Sequence, residues 1–309
     1  MLAILLKTLP FFAVIGLGFA AGRVRFFTAE ATAYLTKFVF YFALSAMLFG
    51  FAANLDLAAI FSWAFVWAYL LATLLVWLIV AGVAILRRIP AQEAVFEAHT
   101  GVIGNVGFLG IPMLSLLMGK AAVGPVLLVL AVDLVVFSSV LTILIVGLRE
   151  GRMSAGIFRV VAIGLLKNPM IVSVVLGLAW GATGWALPVP VNEFMTMLGA
   201  AATPCALFAI GASLAGRRAE RVEVAVWLSF SKLVLHPAAV AVAALWLFDV
   251  DPYAAGVMIA AAALPVAGNV FILAQHYGVA PQRVSASILI STAVSVLTVT
   301  AVIAFVEGL

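Results

Sequence analysis

Residues 99–113 read HTGVIGNVGFLGIPM, and residues 260–269 read AAAALPVAGN. Both stretches consist of small and apolar residues, and each contains a proline, Pro112 in the first and Pro265 in the second. Small residues let neighbouring backbones approach closely in a membrane. Proline lacks an N–H group and clashes with the carbonyl four residues back. We therefore expect two helices that are interrupted inside a bilayer.

The composition of the whole chain agrees with a membrane setting. Of its 309 residues, 67% are hydrophobic and 9% are charged, with a mean hydropathy of +1.31. Soluble domains carry roughly 25% charged residues, so soluble enzymes and disordered chains are excluded. The single cysteine, Cys205, excludes a disulfide scaffold. The apolar runs are continuous rather than alternating, which predicts an all-α polytopic membrane protein.

Ten apolar segments, numbered here 1 to 10, fill the chain and leave no room for a soluble domain. A spanning helix needs about 20 apolar residues. The segments cover residues 2–21, 31–53, 61–86, 94–118, 122–148, 157–181, 191–215, 222–247, 254–276 and 284–306.

The arginines predict the orientation of these segments. All of them follow segments 1, 3, 5, 7 and 9: Arg23, Arg25, Arg87, Arg88, Arg149, Arg152, Arg159, Arg217, Arg218, Arg221 and Arg283. Basic residues concentrate in cytoplasmic loops. Both termini are therefore expected outside, in a plasma (bacterial inner) membrane. The bases form no single patch, so no nucleic-acid partner is expected.

An internal repeat divides the chain into residues 1–150 and 155–309. Segment 1 contains Lys7-Thr8-Leu9-Pro10 and segment 6 contains Lys167-Asn168-Pro169, while segments 4 and 9 share the interrupted pattern. Five segments is an odd number, so the second copy must be inverted in the membrane. Inverted repeats with broken helices are a transporter architecture, with the binding site near the midplane.

The broken segments predict an anion site between them. Unpaired backbone is tolerated in a membrane only beside protein or water, so the two breaks are expected to face each other across a wet cavity. The N-termini of half-helices there carry partial positive charge and unpaired N–H groups. The substrate-binding residues are predicted to be Asn105, Gly107, Pro112, Pro265, Gly268 and Asn269.

Two charged residues fall in the middle of apolar segments. Asp133 and Lys232 each lie about 11 residues into their segment, roughly 16 Å deep. Such groups are costly and mark functional interiors. Asp133 is interpreted as a proton or cation carrier or a polar ligand, with Lys232 as its counter-charge. A purely structural Asp133–Lys232 pair and a protonated Asp133 are the alternatives. Glu97 and His99, near the start of segment 4, are expected at the interface.

Several of these stretches resemble one transporter family. Residues 105–112 (NVGFLGIP) are similar to the fourth helix of the auxin efflux carriers, and residues 262–277 are similar to the ninth. The resemblance extends to residues 38–51 and 232–237, and so to essentially the full length. It is to the bacterial branch, related to the plant auxin carriers.

The resemblance implies ten helices in two inverted repeats, with segments 4 and 9 crossing, as in bile-acid symporters and sodium–proton antiporters. It implies a scaffold domain (1–58 and 155–216) that forms a homodimer, and a transport domain (59–150 and 217–309) that moves as an elevator. Bacterial members are associated with malonate, malate and similar carboxylates. Ser45 stands where the family usually has proline, and its hydroxyl is a further candidate to bind the ligand.

Other functional classes find less support. The three histidines, His99, His236 and His276, are far apart, no second carboxylate accompanies Asp133, and no nucleotide-binding loop is present, so an enzyme is not expected. No cofactor or metal is expected beyond a coupling proton or Na⁺. A sodium- or proton-coupled symporter of the bile-acid type and an anion channel remain alternatives to a simple carrier. The sequence leaves the substrate and the direction of transport open.

Overall fold

The structure, a computed structural model, describes residues 2–55, 61–151, 155–216 and 221–308. Within these ranges every regular element is a helix, apart from one isolated β-bridge. Arg152, Arg217 and Arg218 lie outside the described residues. The helices are α1 (Leu2–Arg23), α2 (Ala29–Ala53), α3 (Trp63–Leu86), α4 (Ala91–Thr100), α5 (Val106–Leu117), α6 (Lys120–Glu150), α7 (Ala155–Lys167), α8 (Pro169–Gly181), α9 (Val189–Ala215), α10 (Val222–Leu247), α11 (Pro252–Ala262), α12 (Gly268–Tyr277) and α13 (Pro281–Val306).

The helix lengths confirm an all-helical chain with several possible membrane spans. In the described part, seven helices are long and apolar enough to cross a bilayer: α1, α2, α3, α6, α9, α10 and α13. Helices α7 and α8 meet at a 70° bend, and together they give an eighth span if the bent pair is counted as one. Segments 4 and 9 are each divided into two short helices, α4 with α5 and α11 with α12. The count of ten spans stays a prediction.

Glycines bring α1 and α9 into close contact. A Cβ atom added to Gly211 would lie 1.9 Å from the carbonyl oxygen of Ile15, and one added to Gly18 would lie 2.1 Å from that of Phe208. Only glycine allows these backbones to touch. Helix α2 packs against α8 and α9 in the same part of the molecule. Helices α3, α4, α10, α11 and α13 pack mainly against one another.

Wide π turns interrupt three of the long helices. They occupy Val39–Ala43 in α2, Val132–Phe137 in α6, and two places in α10, Ser231–Leu235 and Ala243–Leu247. Such bulges occur frequently at functional sites. The predicted charged residues Asp133 and Lys232 both lie in these turns.

Candidate functional site

The breaks in segments 4 and 9 are joined directly to each other. An antiparallel β-bridge pairs Gly104, between α4 and α5, with Val266, between α11 and α12. The Asn105 N–H donates to the Pro265 carbonyl at 2.8 Å. On the other side of the bridge, the Ala267 N–H donates to the Ile103 carbonyl at 3.1 Å. Each break thus satisfies part of the backbone that the other exposes. The two breaks therefore meet as predicted, but direct backbone hydrogen bonds join them where a wet cavity was expected between them.

Four backbone N–H groups beside this crossing have no acceptor among the described residues. They belong to Gly107 and Phe108 in the first turn of α5, and to Gly268 and Asn269 in the first turn of α12. The first N–H groups of any helix lack an intrahelical partner. Helix α5 begins two residues after the bridged Gly104 and α12 begins two residues after the bridged Val266, so both half-helices begin at the crossing.

The two predicted asparagines lie on either side of the bridge. Asn105 is 5% exposed and forms an inverse γ-turn, in which the next N–H bonds back to the Gly104 carbonyl at 2.8 Å. Asn269 lies in the first turn of α12, and its buried Oδ1 has no hydrogen-bond partner. Nothing lies within 4 Å of where a Cβ atom of Gly268 would be. The first turn of α12 therefore holds a buried amide oxygen without a partner and, at the preceding residue, space for a side chain.

The two prolines do not play equivalent parts. Pro265 lies within the second break and accepts the Asn105 N–H through its carbonyl. Pro112 lies beyond the first break, at the start of the α-helical turns Ile111–Leu117 and after a π turn over Val106–Gly110. Proline is well tolerated at such a start because its missing N–H is not needed there. The first break is therefore in the glycine-rich stretch before Pro112.

Ser45 uses its hydroxyl proton within α2. Its Oγ donates to the Phe40 carbonyl at 3.0 Å, and the residue is 9% exposed. The preceding π turn releases that carbonyl from the regular helical pattern. The adjacent Leu44 points to the crossing, where its methyl group comes within 3.9 Å of the position of a Cβ on Gly107.

Asp133 is buried and bonded to a tyrosine. It is 2% exposed, and its Oδ1 accepts from the Tyr69 hydroxyl at 2.9 Å. Its Oδ2 is buried without a hydrogen-bond partner. Among the described residues, no ion pair within 4 Å joins Asp133 to Lys232. Asp133 and Lys232 therefore do not form a direct ion pair, and each side chain has its own hydrogen bond.

Lys232 forms part of the crossing. It is fully buried, and its Nζ donates to the carbonyl of Ala262, the last residue of α11 before the break. The Nζ also lies 3.2 Å from His236 Nδ1, and His236 Nε2 lies 2.9 Å from Thr73 Oγ1. A Cβ added to Gly104 would be 3.2 Å from the same Nζ. The ammonium group thus binds a carbonyl that the helix break leaves without its usual partner.

Glu97 and His99, expected at the membrane interface, are both buried within the protein, at 1% and 0% exposure. Glu97 accepts from Arg87 and Arg283, each at 2.7 Å, and Arg283 also pairs with Glu93 at 2.6 Å. Sequence reasoning missed this ion cluster. The available signal was the i, i+4 spacing of the two glutamates, which places both carboxylates on one face of α4.

Two surface clefts open beside this ion cluster, with volumes of about 430 and 400 Å³. Both are lined by Glu93, Gly278 and Ala280, and neither is lined by a residue of the crossing. In the described part of the chain, no group of three or more His, Cys, Asp or Glu side chains could hold a metal ion. The polar side chains placed at the crossing are those of Asn105, Asn269 and Lys232.

Comparison with known proteins identifies the family. A family model described as "Membrane transport protein" matches residues 3–303, nearly the whole chain. The chain belongs to this family, that of the auxin efflux carriers. The transporter is also 31% identical to a protein of Rhizobium meliloti (strain 1021) named "Putative malonate transporter", over 306 residues that cover 97% of this chain and 95% of the relative.

The family match makes the transporter an integral, multi-pass membrane protein, in agreement with its long apolar helices. The family and the relative are both transporters, as their descriptions state. The recognition of the auxin efflux carrier family from residues 105–112 and 262–277 is confirmed.

Proposed function

We propose that the transporter is a secondary carrier of a small organic dicarboxylate, of which malonate is the first candidate, bound where the two breaks cross. The single observation that carries the proposal is the set of four unpaired N–H groups at the starts of α5 and α12, flanked by Asn105 and Asn269. The name of the relative supports malonate as the substrate to test first.

The chemistry of the crossing suits an anion with two carboxylates. A carboxylate that leaves water needs hydrogen-bond donors to replace its hydration. Each half-helix start supplies two N–H groups and the positive end of a helix dipole. Two such ends meet at the bridge, one for each carboxylate, and the amide groups of Asn105 and Asn269 add further donors. No arginine lies near the middle of any segment to do this instead.

The packing supports alternating access by movement of one domain against another. Helices α1, α2, α8 and α9 pack together, and they belong to residues 1–58 and 155–216, the proposed scaffold and homodimer surface. The two bridged residues are 162 positions apart in the chain, and the first residues of α5 and α12 have the same separation. This equal spacing supports inverted repeats. We infer that residues 59–150 and 217–309 carry the substrate as an elevator, with both termini outside the plasma membrane.

We further propose that Lys232 supplies the cation at the crossing and that Asp133 is the group that exchanges a proton. The Lys232 ammonium already binds the Ala262 carbonyl, a group of the kind that coordinates sodium. Asp133 keeps one buried oxygen without a partner. Malonate uptake should then be independent of sodium. The alternative, a sodium-coupled symporter, predicts that sodium strengthens malonate binding, and an anion channel predicts no saturable counterflow.

The test is a thermal-shift and calorimetry series with malonate, with and without sodium, on the purified protein. A ligand that binds the folded state raises its stability. One hydrogen bond to a charged ligand is worth about 1.5–3 kcal/mol, so Asn105→Ala and Asn269→Ala should each weaken binding roughly 10- to 150-fold. Asn192→Ala is the matched control, an exposed asparagine at the start of α9. Unchanged affinity in both crossing variants would place the ligand elsewhere.

A further inference from the structure

Two apolar side chains from the proposed scaffold cover one of the donor residues at the crossing. A Cβ atom added to Gly107 would lie 2.6 Å from the terminal methyl of Met170 and 3.9 Å from a methyl of Leu44, with a methyl of Leu130 in α6 at 3.8 Å. Met170 is in α8 and Leu44 is in α2, and they are 4% and 1% exposed. The side of Gly107 that a Cβ atom would occupy is therefore closed by apolar carbon atoms, and the methyl of Met170 is the nearest of them.

Local irregularities direct both side chains to the same glycine. Met170 is the second residue of α8, and its N–H donates to the Asn168 side chain at 3.0 Å, which caps the helix at the 70° bend with α7. Leu44 directly follows the π turn Val39–Ala43, which shifts the register of α2. Each side chain lies just after a break in regular helix geometry. We therefore interpret their shared approach to Gly107 as specific positioning.

We propose that Met170 is a specificity-determining residue that, with Leu44, limits the width of the carbon chain between the two carboxylates of the substrate. The inference rests on the proposed function and extends it to substrate size. The N–H of Gly107 is one of the four donors and the Met170 methyl lies beside the same residue, so we expect the carbon next to a carboxylate bound there to lie near that methyl. One extra methylene in an apolar pocket changes discrimination by about 10- to 200-fold.

The side chain of methionine suits this place because it can move. Its three rotatable bonds let it adjust to a ligand. Met170 can therefore turn aside when malonate enters and return over its single CH₂ group. A substituted carbon, as in methylmalonate, would occupy the volume that the methionine methyl needs.

The experiment measures the ratio of methylmalonate to malonate affinity by calorimetry. Met170→Ala should raise this ratio at least about tenfold relative to the unaltered protein. Met197→Ala is the matched control. Met197 is an exposed methionine of α9, which also belongs to the proposed scaffold. This variant should leave the ratio unchanged.

A reciprocal variant makes the result specific to the pair. Adding Gly107→Ala to Met170→Ala puts a methyl group into the space that the methionine vacates. The ratio of methylmalonate to malonate affinity should then return to within about threefold of its starting value. An unchanged ratio in Met170→Ala, with malonate still bound, would overturn the inference. Absence of malonate binding to the unaltered protein would instead overturn the proposed function, and with it this extension.

A labelling measurement covers the case in which Met170→Ala does not insert or fold. Met170→Cys, in a background that carries Cys205→Ala, should react with a small thiol reagent more slowly when malonate is saturating. Because the substituted thiol would lie beside the bound ligand, equal rates with and without malonate would overturn the inference.

Discussion

Replacing Glu97 with alanine should be among the most destabilising single changes at the ion cluster of α3, α4 and α13. The Glu97 carboxylate is 1% exposed and binds one arginine with each oxygen, both at 2.7 Å. Its partners differ in their surroundings, since the Arg283 side chain is 8% exposed and that of Arg87 is 32% exposed. The loss in free energy of unfolding should therefore be larger when Glu97 is removed, which leaves the buried Arg283 behind, than when Arg87 is removed.

The magnitude follows from this difference in burial. Removing one member of a buried pair leaves an uncompensated charge and costs about 3–5 kcal/mol. Arg283 keeps Glu93 at 2.6 Å, so Glu97→Ala should fall near the lower end, at about 3 kcal/mol. Arg87→Ala removes a partly exposed partner and leaves Glu97 paired with Arg283, so it should cost about 1 kcal/mol or less.

Reversible unfolding in mixed detergent micelles would measure these free energies, with circular dichroism to follow the helices. Glu97→Ala and Arg87→Ala are compared with the unaltered protein in one series. A double variant, Glu97→Gln with Arg283→Met, removes both buried charges and should recover most of the loss. Equal free energies of unfolding for Glu97→Ala and Arg87→Ala would refute the assignment of the buried charge to the Glu97–Arg283 pair.

Three further expectations concern helix packing, orientation and coupling. Gly211→Ala places a methyl group 1.9 Å from a carbonyl of α1 and should cost at least about 1–3 kcal/mol, whereas Gly16→Ala meets nothing within 4 Å and should be neutral or slightly stabilising in the same unfolding assay. Arg88→Cys and Arg218→Cys, in a background without the native cysteine, should resist an impermeant thiol reagent applied outside whole cells; rapid labelling of either would reverse the orientation. Asp133→Asn should preserve malonate binding but remove the pH dependence of uptake into vesicles, and an unaltered pH profile would exclude Asp133 as the proton carrier.

The sequence predicted the crossing because its signals are local. Asn105 and Pro265 lie in stretches where small residues and proline act on the backbone within one or two turns. The same composition set the fold class, since 67% hydrophobic residues leave few alternatives. The part played by Pro112 was less predictable, because a proline at the start of a helical turn and a proline inside a break look alike in sequence.

The burial of Glu97 could not be predicted in the same way. A glutamate near the end of an apolar segment ordinarily faces water, and its placement here depends on Arg283, which is 186 positions away in the chain. The contacts of Lys232 were also out of reach, because the carbonyl of Ala262 becomes available only through the break after α11. Both cases depend on long-range packing, for which a single sequence carries no pattern.

The bridge between the breaks also constrains how the protein is made. While the ribosome is still synthesising segment 9, the stretch around Gly104 lacks its backbone partner at Val266, 162 positions later. Unpaired backbone groups are costly in hydrocarbon, and contacts of such long sequence separation form late. The first half of the chain should therefore remain incompletely packed after insertion, with the stretch before α5 settling only once the second half has entered the bilayer. A defect in the later half would then leave the earlier half exposed to membrane proteases.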